Sequence, residues 1–275
     1  LSQTYPCEVI LSCQPSNDNT LQVIRDTVEQ YGPTHHEVRI LECPIGGTYG
    51  MRSMNDHMSF ITEQTDAEWI LQSSADDESL PDRTKVCMAA VEDHPCSAIA
   101  TTMYFVEPGK PSNVNSVSGY PRSTGYVEAG AGLLNLAYGS TIGGYKREFL
   151  KKVGNIGANT PDVLWGFLAA LGQGFYVIAE PHHRHYTHAD TENTGFQGKM
   201  KAATGSDSLI LAELNHAQLL RLYITCISKA QDLHPNGITH EAYDAAMQMI
   251  AVQSMGLINA REVLSNAGLT PGDLK

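Results

Sequence analysis

The feature that most constrains this chain is the alternation of apolar runs with helical stripes through its first hundred residues. CEVILSC, Cys7 to Cys13, is a short apolar run of the kind that forms a buried strand. Leu21, Ile24 and Val28 then fall at helical spacing and predict a helix from about Asn19 to Tyr31. EVRIL, Glu37 to Leu41, predicts a second strand, and Met51, Met54, Met58 and Ile61 a second helix. EWILQ reads as a third strand, a helix is predicted around Asp82 to Val91, and SAIATTMYF reads as a fourth strand. Strands and helices in this order build a mostly parallel sheet covered on both faces. Such sheets bind ligands beyond the carboxyl ends of their strands. QPSND, ECPIGG and SADDES all fall at that edge.

Further along, Glu107 to Gly132 is rich in Gly, Pro and Ser and reads as a long loop or a two-stranded excursion; loops that long are often functional lids. YGSTIGGYKREFLKKVG predicts a short strand and a helix, TPDVLWGFLAALGQG a helix with Asp162 in its first turn, and FYVIAE another strand. PHHRHYTHADTENTGFQG reads as a polar loop. From about Ser206 the pattern is helical to the end, so residues 1–199 are expected to form the α/β domain and 200–275 a helical extension or subdomain.

The chain is acidic, with 18 basic and 30 acidic residues and a net charge of −12, which disfavours broad binding to nucleic acid. No apolar run approaches the ~18 residues of a membrane span. The start, LSQTYPCEVI, carries no basic region followed by an apolar core, so no signal peptide is expected. The six cysteines form no CxxC and read as reduced and structural, which favours a cytoplasmic setting.

The chemistry concentrates in SSADDESLP, Ser73 to Pro81, where two adjacent carboxylates follow the third strand. Paired carboxylates are hard oxygen ligands suited to Mg²⁺ or Mn²⁺. A cation held there by these carboxylates would supply charge neutralisation for a diphosphate and its departing phosphate. The same residues also suit a solvated turn before a helix, since acidic groups favour helix N-termini. His182, His183 and His185 raise the question of zinc, but neighbours in an extended loop point to different sides. No HExxH helix accompanies them.

A strand, then SADD, then SLP, after two strand–helix units, resembles the metal-binding DxD region of glycosyltransferases with the GT-A fold, closest to the inverting family 2. CEVILSCQPSNDNTLQVIRDTVEQ resembles the opening strand and helix of that family, and EVRILE its second strand. GMRSMNDHMSFITEQTDAEWILQ is similar to the stretch leading to the DxD strand. YGSTIGGYKREFLKKVG, TPDVLWGFLAALGQGFYVIAEP and HYTHADTENT resemble the later segments, so the likeness runs in order from Cys7 to Thr194. It departs where Ser74 stands for the first Asp of DADD, where QPSN stands for PTYN, where Thr160-Pro161-Asp162 stands for Glu-Asp, and where HYTH lacks an Arg.

The resemblance implies a GT-A-like, Rossmann-type mostly parallel sheet flanked by helices, with a helical C-terminal extension. It implies a metal-dependent transferase that moves a sugar from a nucleotide-diphosphate donor, UDP-sugar by default, to an acceptor hydroxyl with inversion. Asp162 takes the place of the general base, though a carboxylate there also suits the start of a helix. Gln14, Asn17, Glu42, Arg52, Asn55, Ala75 and Asp76 take the nucleotide-sugar positions. Asp76 is the expected metal ligand, with Asp77 and His188 beside it and Mn²⁺ or Mg²⁺ as the ion. Asn17 and Asp18 equally suit a helix cap, and Arg52, Lys146 and Arg147 suit either phosphate contacts or surface charges. The altered motifs leave a second reading, a non-catalytic nucleotide- or glycan-binding protein on the same fold. The acceptor, whether glycan, protein or another hydroxyl, is not legible.

Overall fold

The computed structural model describes residues 1–13, 15, 18–43, 51–94, 96–106, 124–127, 143–154, 168–169, 171–172, 175–186, 220, 223–230, 232–233 and 238–266, with the backbone alone for 51–56, 105, 127, 253 and 260–266. The predicted alternation is present. Strand β1 (Glu8–Cys13) leads to helix α1 (Thr20–Tyr31), then β2 (Glu37–Glu42), α2 (Met51–Gln64) and β3 (Trp69–Leu71). A two-residue strand, β4 (Glu78–Ser79), precedes α3 (Arg83–Glu92) and β5 (Ala98–Val106). Then come β6 (Gly125–Val127), β7 (Gly144–Lys146), α4 (Arg147–Val153), β8 (Phe175–Tyr186) and α5 (His240–Asn266). The start of α1 is secured by Asp18, whose Oδ1 accepts from the Thr20 backbone N–H at 2.9 Å. Its end turns on Gly32, at φ 77°, a conformation glycine adopts without strain.

The two longest ladders are parallel. β1 pairs β2 in register from Glu8↔Glu37 to Cys13↔Glu42. β5 pairs β8 over the whole length of β5, from Ala98↔Phe175 to Val106↔Tyr186. Shorter antiparallel pairings extend the second sheet in the order β3-β7-β5-β8-β4, with β6 also on β8. Because β7 runs antiparallel to both β3 and β5, the strands β3, β5 and β8 all point the same way. The carboxyl end of β3 therefore lies at the same edge as the second half of β8.

Alternation along β5 and β8 divides the core between two faces. Ala98, Phe175 and Val177 face a cluster with Met58 of α2, Phe149, Leu150 and Val153 of α4, and the C-terminal residues Tyr223, Cys226, Ala242, Ala246 and Met249. Ile99, Tyr176 and Ile178 face the other way, against Cys87, Val86 and Val91 of α3. The described C-terminal helices thus complete the layer on one face of the sheet. The expected boundary at 199/200 lies outside the described residues, as does most of Glu107–Gly132.

One difference from the sequence reading matters for the site. The strand predicted as FYVIAE does not stop at Pro181; β8 continues to Tyr186. The register with β5 shifts on both sides of Thr102, which lies opposite Pro181. A proline donates no ladder hydrogen bond, and at such a bulge none is needed. The second half of β8 then pairs with β4 through Glu78↔Arg184 and Ser79↔His183. PHHRHY is therefore strand, not loop, and its side chains are re-aimed by the bulge.

Candidate functional site

Gln72, the first residue past β3, donates its backbone N–H to Gly143 O at 3.0 Å. The chain then makes a turn, closed by the Asp77 backbone N–H donating to Ser74 O at 3.3 Å, and enters β4. Ala75 and Asp76 form its exposed tip. No described residue hydrogen-bonds to the Asp76 carboxylate or forms an ion pair with it.

Asp77 is the opposite case. Its side chain is 7% exposed, and both carboxylate oxygens are engaged. His183 Nε2 lies 3.1 Å from Oδ2, and His185 Nδ1 lies 2.9 Å from Oδ1. The Tyr186 backbone N–H donates to Oδ1 as well, at 3.2 Å. His183 and His185 are two apart on one strand and so share a face; their common partner is this carboxylate. Burial pushes the Asp77 carboxyl up, but the hydrogen bonds from His183 and His185 outweigh it and hold the carboxyl well below the usual range. The bond to Asp77 in turn raises His185 above an ordinary histidine against the opposing effect of burial, with Asp76 adding to the negative potential.

Neighbouring residues brace the turn. Glu78 accepts from Arg184 Nη1 and from the Tyr186 hydroxyl, each at 2.9 Å. His182, on the other side of β8, lies 3.0 Å from Asp82 Oδ1. Beneath the turn Arg83 is almost wholly buried, and desolvation pulls its guanidinium down while Cys87 and Asp77 support its charge. From the far N-terminus, Gln3 donates to Leu80 O at 2.7 Å and accepts from Thr84 N and Oγ1 at 2.9 and 2.8 Å.

Glu42 sits at the carboxyl end of β2 opposite Cys13, the edge at which the sequence placed it. There it accepts from Arg25 Nη2 of α1 at 3.0 Å, an exposed ion pair. The backbones of Arg52 and Asn55 lie in α2. Gln14, Asn17, Asp162 and His188 lie outside the described residues. Lys146 and Arg147 sit at the opposite end of β3. Lys146 Nζ lies 5.6 Å from the Trp69 ring centroid, and Arg147 pairs with Asp66 at 3.2 Å while donating from Nε to Thr62 O at 3.1 Å. All six cysteines are free thiols, five of them buried. Among the described residues no helix is long and apolar enough to cross a membrane.

Sequence reasoning missed two parts of this arrangement. The pairing of His183 and His185 with Asp77 was hidden by ending the strand at Pro181; the His-x-His spacing is the signal that an extended strand would have made legible. Arg83 carried a fainter one. A cation in the first turn of a helix opposes the helix dipole, so an arginine there calls for a partner.

No family model matches the chain, and no curated protein matches it. Solved structures do. Residues 1–349 of S. aureus TarS in complex with UDP-GlcNAc superpose with a TM-score of 0.59 over 94% of this chain, at 16% identity. The chain spans 66% of that protein's length, just under two thirds. The complex of the same TarS fragment with UDP gives 0.55 at 14% identity, covering 98% of this chain and 86% of that one. S. aureus TarS, in a third structure, gives 0.53 at 15% identity, covering 94% and 50%. The fold is therefore the GT-A-like α/β fold, with a mostly parallel sheet between helices and further helices at the C-terminal end.

Proposed function

We propose that this chain is a glycosyltransferase that takes a sugar from a nucleotide-diphosphate donor, a UDP-sugar by preference, and passes it to an acceptor hydroxyl. The observation that carries the proposal is Asp76. It is an exposed carboxylate with no hydrogen bond or ion pair among the described residues, at the carboxyl edge of a fold whose solved neighbours hold UDP-GlcNAc and UDP. That edge is where α/β sheets bind ligands.

A divalent ion fits this position on donor chemistry, because Mg²⁺ and Mn²⁺ accept hard oxygen ligands and need few from the protein. Asp76 would hold it, with His188 beside it by resemblance. Among the described residues no group of three or more His, Cys, Asp or Glu is placed to hold a metal. When bound, the ion supplies charge neutralisation for the diphosphate. The chain's own residues do the rest. Glu42 and the nucleotide-facing positions Gln14, Asn17, Arg52, Asn55 and Ala75 orient the donor. Asp162 removes the proton from the attacking acceptor hydroxyl, which approaches from the face opposite the diphosphate and inverts the anomeric centre.

A second reading, a nucleotide- or glycan-binding protein without turnover, draws on one observation. Both oxygens of Asp77 are committed to histidines, and Ser74 replaces a further carboxylate, so Asp76 is the one carboxylate of the SADD turn left to hold a cation. A thermal-shift panel of nucleotide sugars with and without Mn²⁺ tests the first reading, because a ligand bound only by the native state raises the melting temperature. A Mn²⁺-dependent rise with UDP-sugars, followed by measured transfer or donor hydrolysis, supports the transferase. Binding without any turnover supports the second reading, and no Mn²⁺-dependent shift with any donor removes both.

A further inference from the structure

The turn that carries Asp76 is anchored on three sides. Arg83, the first residue of α3, is 2% exposed and grips both of its feet. Nη2 donates to Gln72 O at 2.8 Å where the chain leaves β3, and Nη1 donates to Ser79 Oγ at 2.8 Å where it joins β4. Asp77 fastens the middle of the turn to His183, His185 and the Tyr186 amide of β8. Glu78 fastens its exit to Arg184 and Tyr186. The exposed tip, Ala75 and Asp76, is left without a tether among the described residues.

Withdrawing a guanidinium from water is costly unless its hydrogen bonds and counter-charge are supplied inside. Here Gln72 O and Ser79 Oγ supply two of the bonds, and Asp77 supplies the counter-charge. The planar fork of arginine places two donors in fixed directions at once, which an ammonium on a flexible stem does not reproduce. A carboxylate that binds a cation works best when its support is rigid and its own oxygens are unspent.

We infer that Arg83 is a positioning residue that aims Asp76 at the cation, and that Asp77 is the internal anchor of the turn and not a second cation ligand. This rests on the proposed donor site. Arg83 holds the feet of the turn at a fixed separation, and the histidine pair on β8 consumes the carboxylate of Asp77. Of the two adjacent acids, one is structural and one is available.

The test uses the full chain in four variants, Arg83→Lys, Ser79→Ala, Asp77→Asn and Asp76→Asn. Hydrogen exchange is followed by mass spectrometry and Mn²⁺-dependent UDP binding by calorimetry. Loss of one charge-assisted bond predicts exchange of the amides in 74–79 about tenfold faster in Arg83→Lys, with a similar loss in Mn²⁺-dependent UDP affinity and unchanged exchange in β1 and α5. Ser79→Ala removes the acceptor of Arg83 Nη1 at one foot while keeping the arginine and its bond to Gln72 O, so it carries the same test if Arg83→Lys fails to fold. Asp77→Asn is expected to loosen the turn and weaken Mn²⁺-dependent binding while retaining it. Asp76→Asn is expected to abolish that binding with turn exchange as in wild type. Wild-type exchange of the turn in both Arg83→Lys and Ser79→Ala overturns the role of Arg83. Complete loss of Mn²⁺ dependence in Asp77→Asn with a rigid turn makes Asp77 a ligand and overturns its role as anchor. Absence of Mn²⁺-dependent UDP binding in the wild type sinks the proposed donor site, while the exchange measurements still decide whether Arg83 holds the turn.

Discussion

His183 and Asp77, 106 positions apart in the chain, meet at 3.1 Å with both side chains almost fully withdrawn from solvent. That contact joins the turn after β3 to the far half of β8, and His185 doubles it on the other carboxylate oxygen at 2.9 Å.

The clasp has a pH window. The Asp77 carboxyl is depressed, so its contribution to stability is present above the ordinary Asp value of about 3.9 and is lost as pH falls through the folded value. His185 is raised, so its contribution is complete below the ordinary His value of about 6.5 and is lost as pH rises through the folded value. Both contributions coexist at about pH 4–6.5. Urea denaturation across pH is expected to show the largest difference between wild type and His185→Gln in that interval, narrowing above it. A difference that grows from pH 6 to 9 would contradict the assignment.

Asp77→Asn leaves two imidazoles facing an amide in a buried site. The expected cost is about 1–3 kcal/mol, the penalty for impairing buried hydrogen bonds to a charged group. Equilibrium denaturation at pH 6 measures it. Asp76→Asn, at an exposed position without a described partner, is expected to stay within about 0.5 kcal/mol of wild type.

The chemical assignments separate by variant. Asp76→Asn is expected to abolish metal-dependent nucleotide binding. Asp162→Asn is expected to spare donor binding and remove transfer. Calorimetry with UDP and Mn²⁺ beside a transfer assay distinguishes them, and normal transfer by Asp162→Asn removes it as the base.

Gly144 in β7 lies between β3 and β5 with no room for a side chain. A Cβ there would stand 2.3 Å from Leu71 Cδ2 and 2.9 Å from Ile99 Cγ2. Gly144→Ala is expected to destabilise the protein by about 1–3 kcal/mol through overpacking. The same strain displaces the end of β3, so Mn²⁺-dependent UDP affinity is expected to fall with it. A denaturation midpoint equal to wild type would show that Leu71 swings aside freely.

Tyr223 of the C-terminal helical region is 2% exposed in the cluster that also holds Phe149 and Phe175. Tyr223→Ala is expected to cost about 3–5 kcal/mol, as for large aromatic truncations in a core. Because the cluster is shared, near- and far-ultraviolet circular dichroism are expected to lose signal in one coincident transition. Two separated transitions would assign the C-terminal helices to a lobe that folds by itself.

Much of this arrangement was legible in the chain itself. Leu21, Ile24 and Val28 mark a helix, and EVILSC and EVRILE mark strands, because the spacing of apolar side chains on a helix or strand is a local property. The position of Asp76 at the end of the third strand follows from the same pattern, since carboxyl ends of strands in an alternating α/β order gather at one edge. The resemblance separates Asp76 from Asp77, but the burial of Asp77 against His183 and His185 was not legible. Adjacent identical residues carry no local mark of which will be buried. That choice belongs to the bulge opposite Thr102, which carries β8 past Pro181 and turns His183 and His185 toward the turn, and to Arg83, which closes the turn from below. Periodicity sets elements within a dozen residues. Which carboxylate meets an imidazole a hundred residues away depends on strand register, and register is decided only when the whole sheet packs.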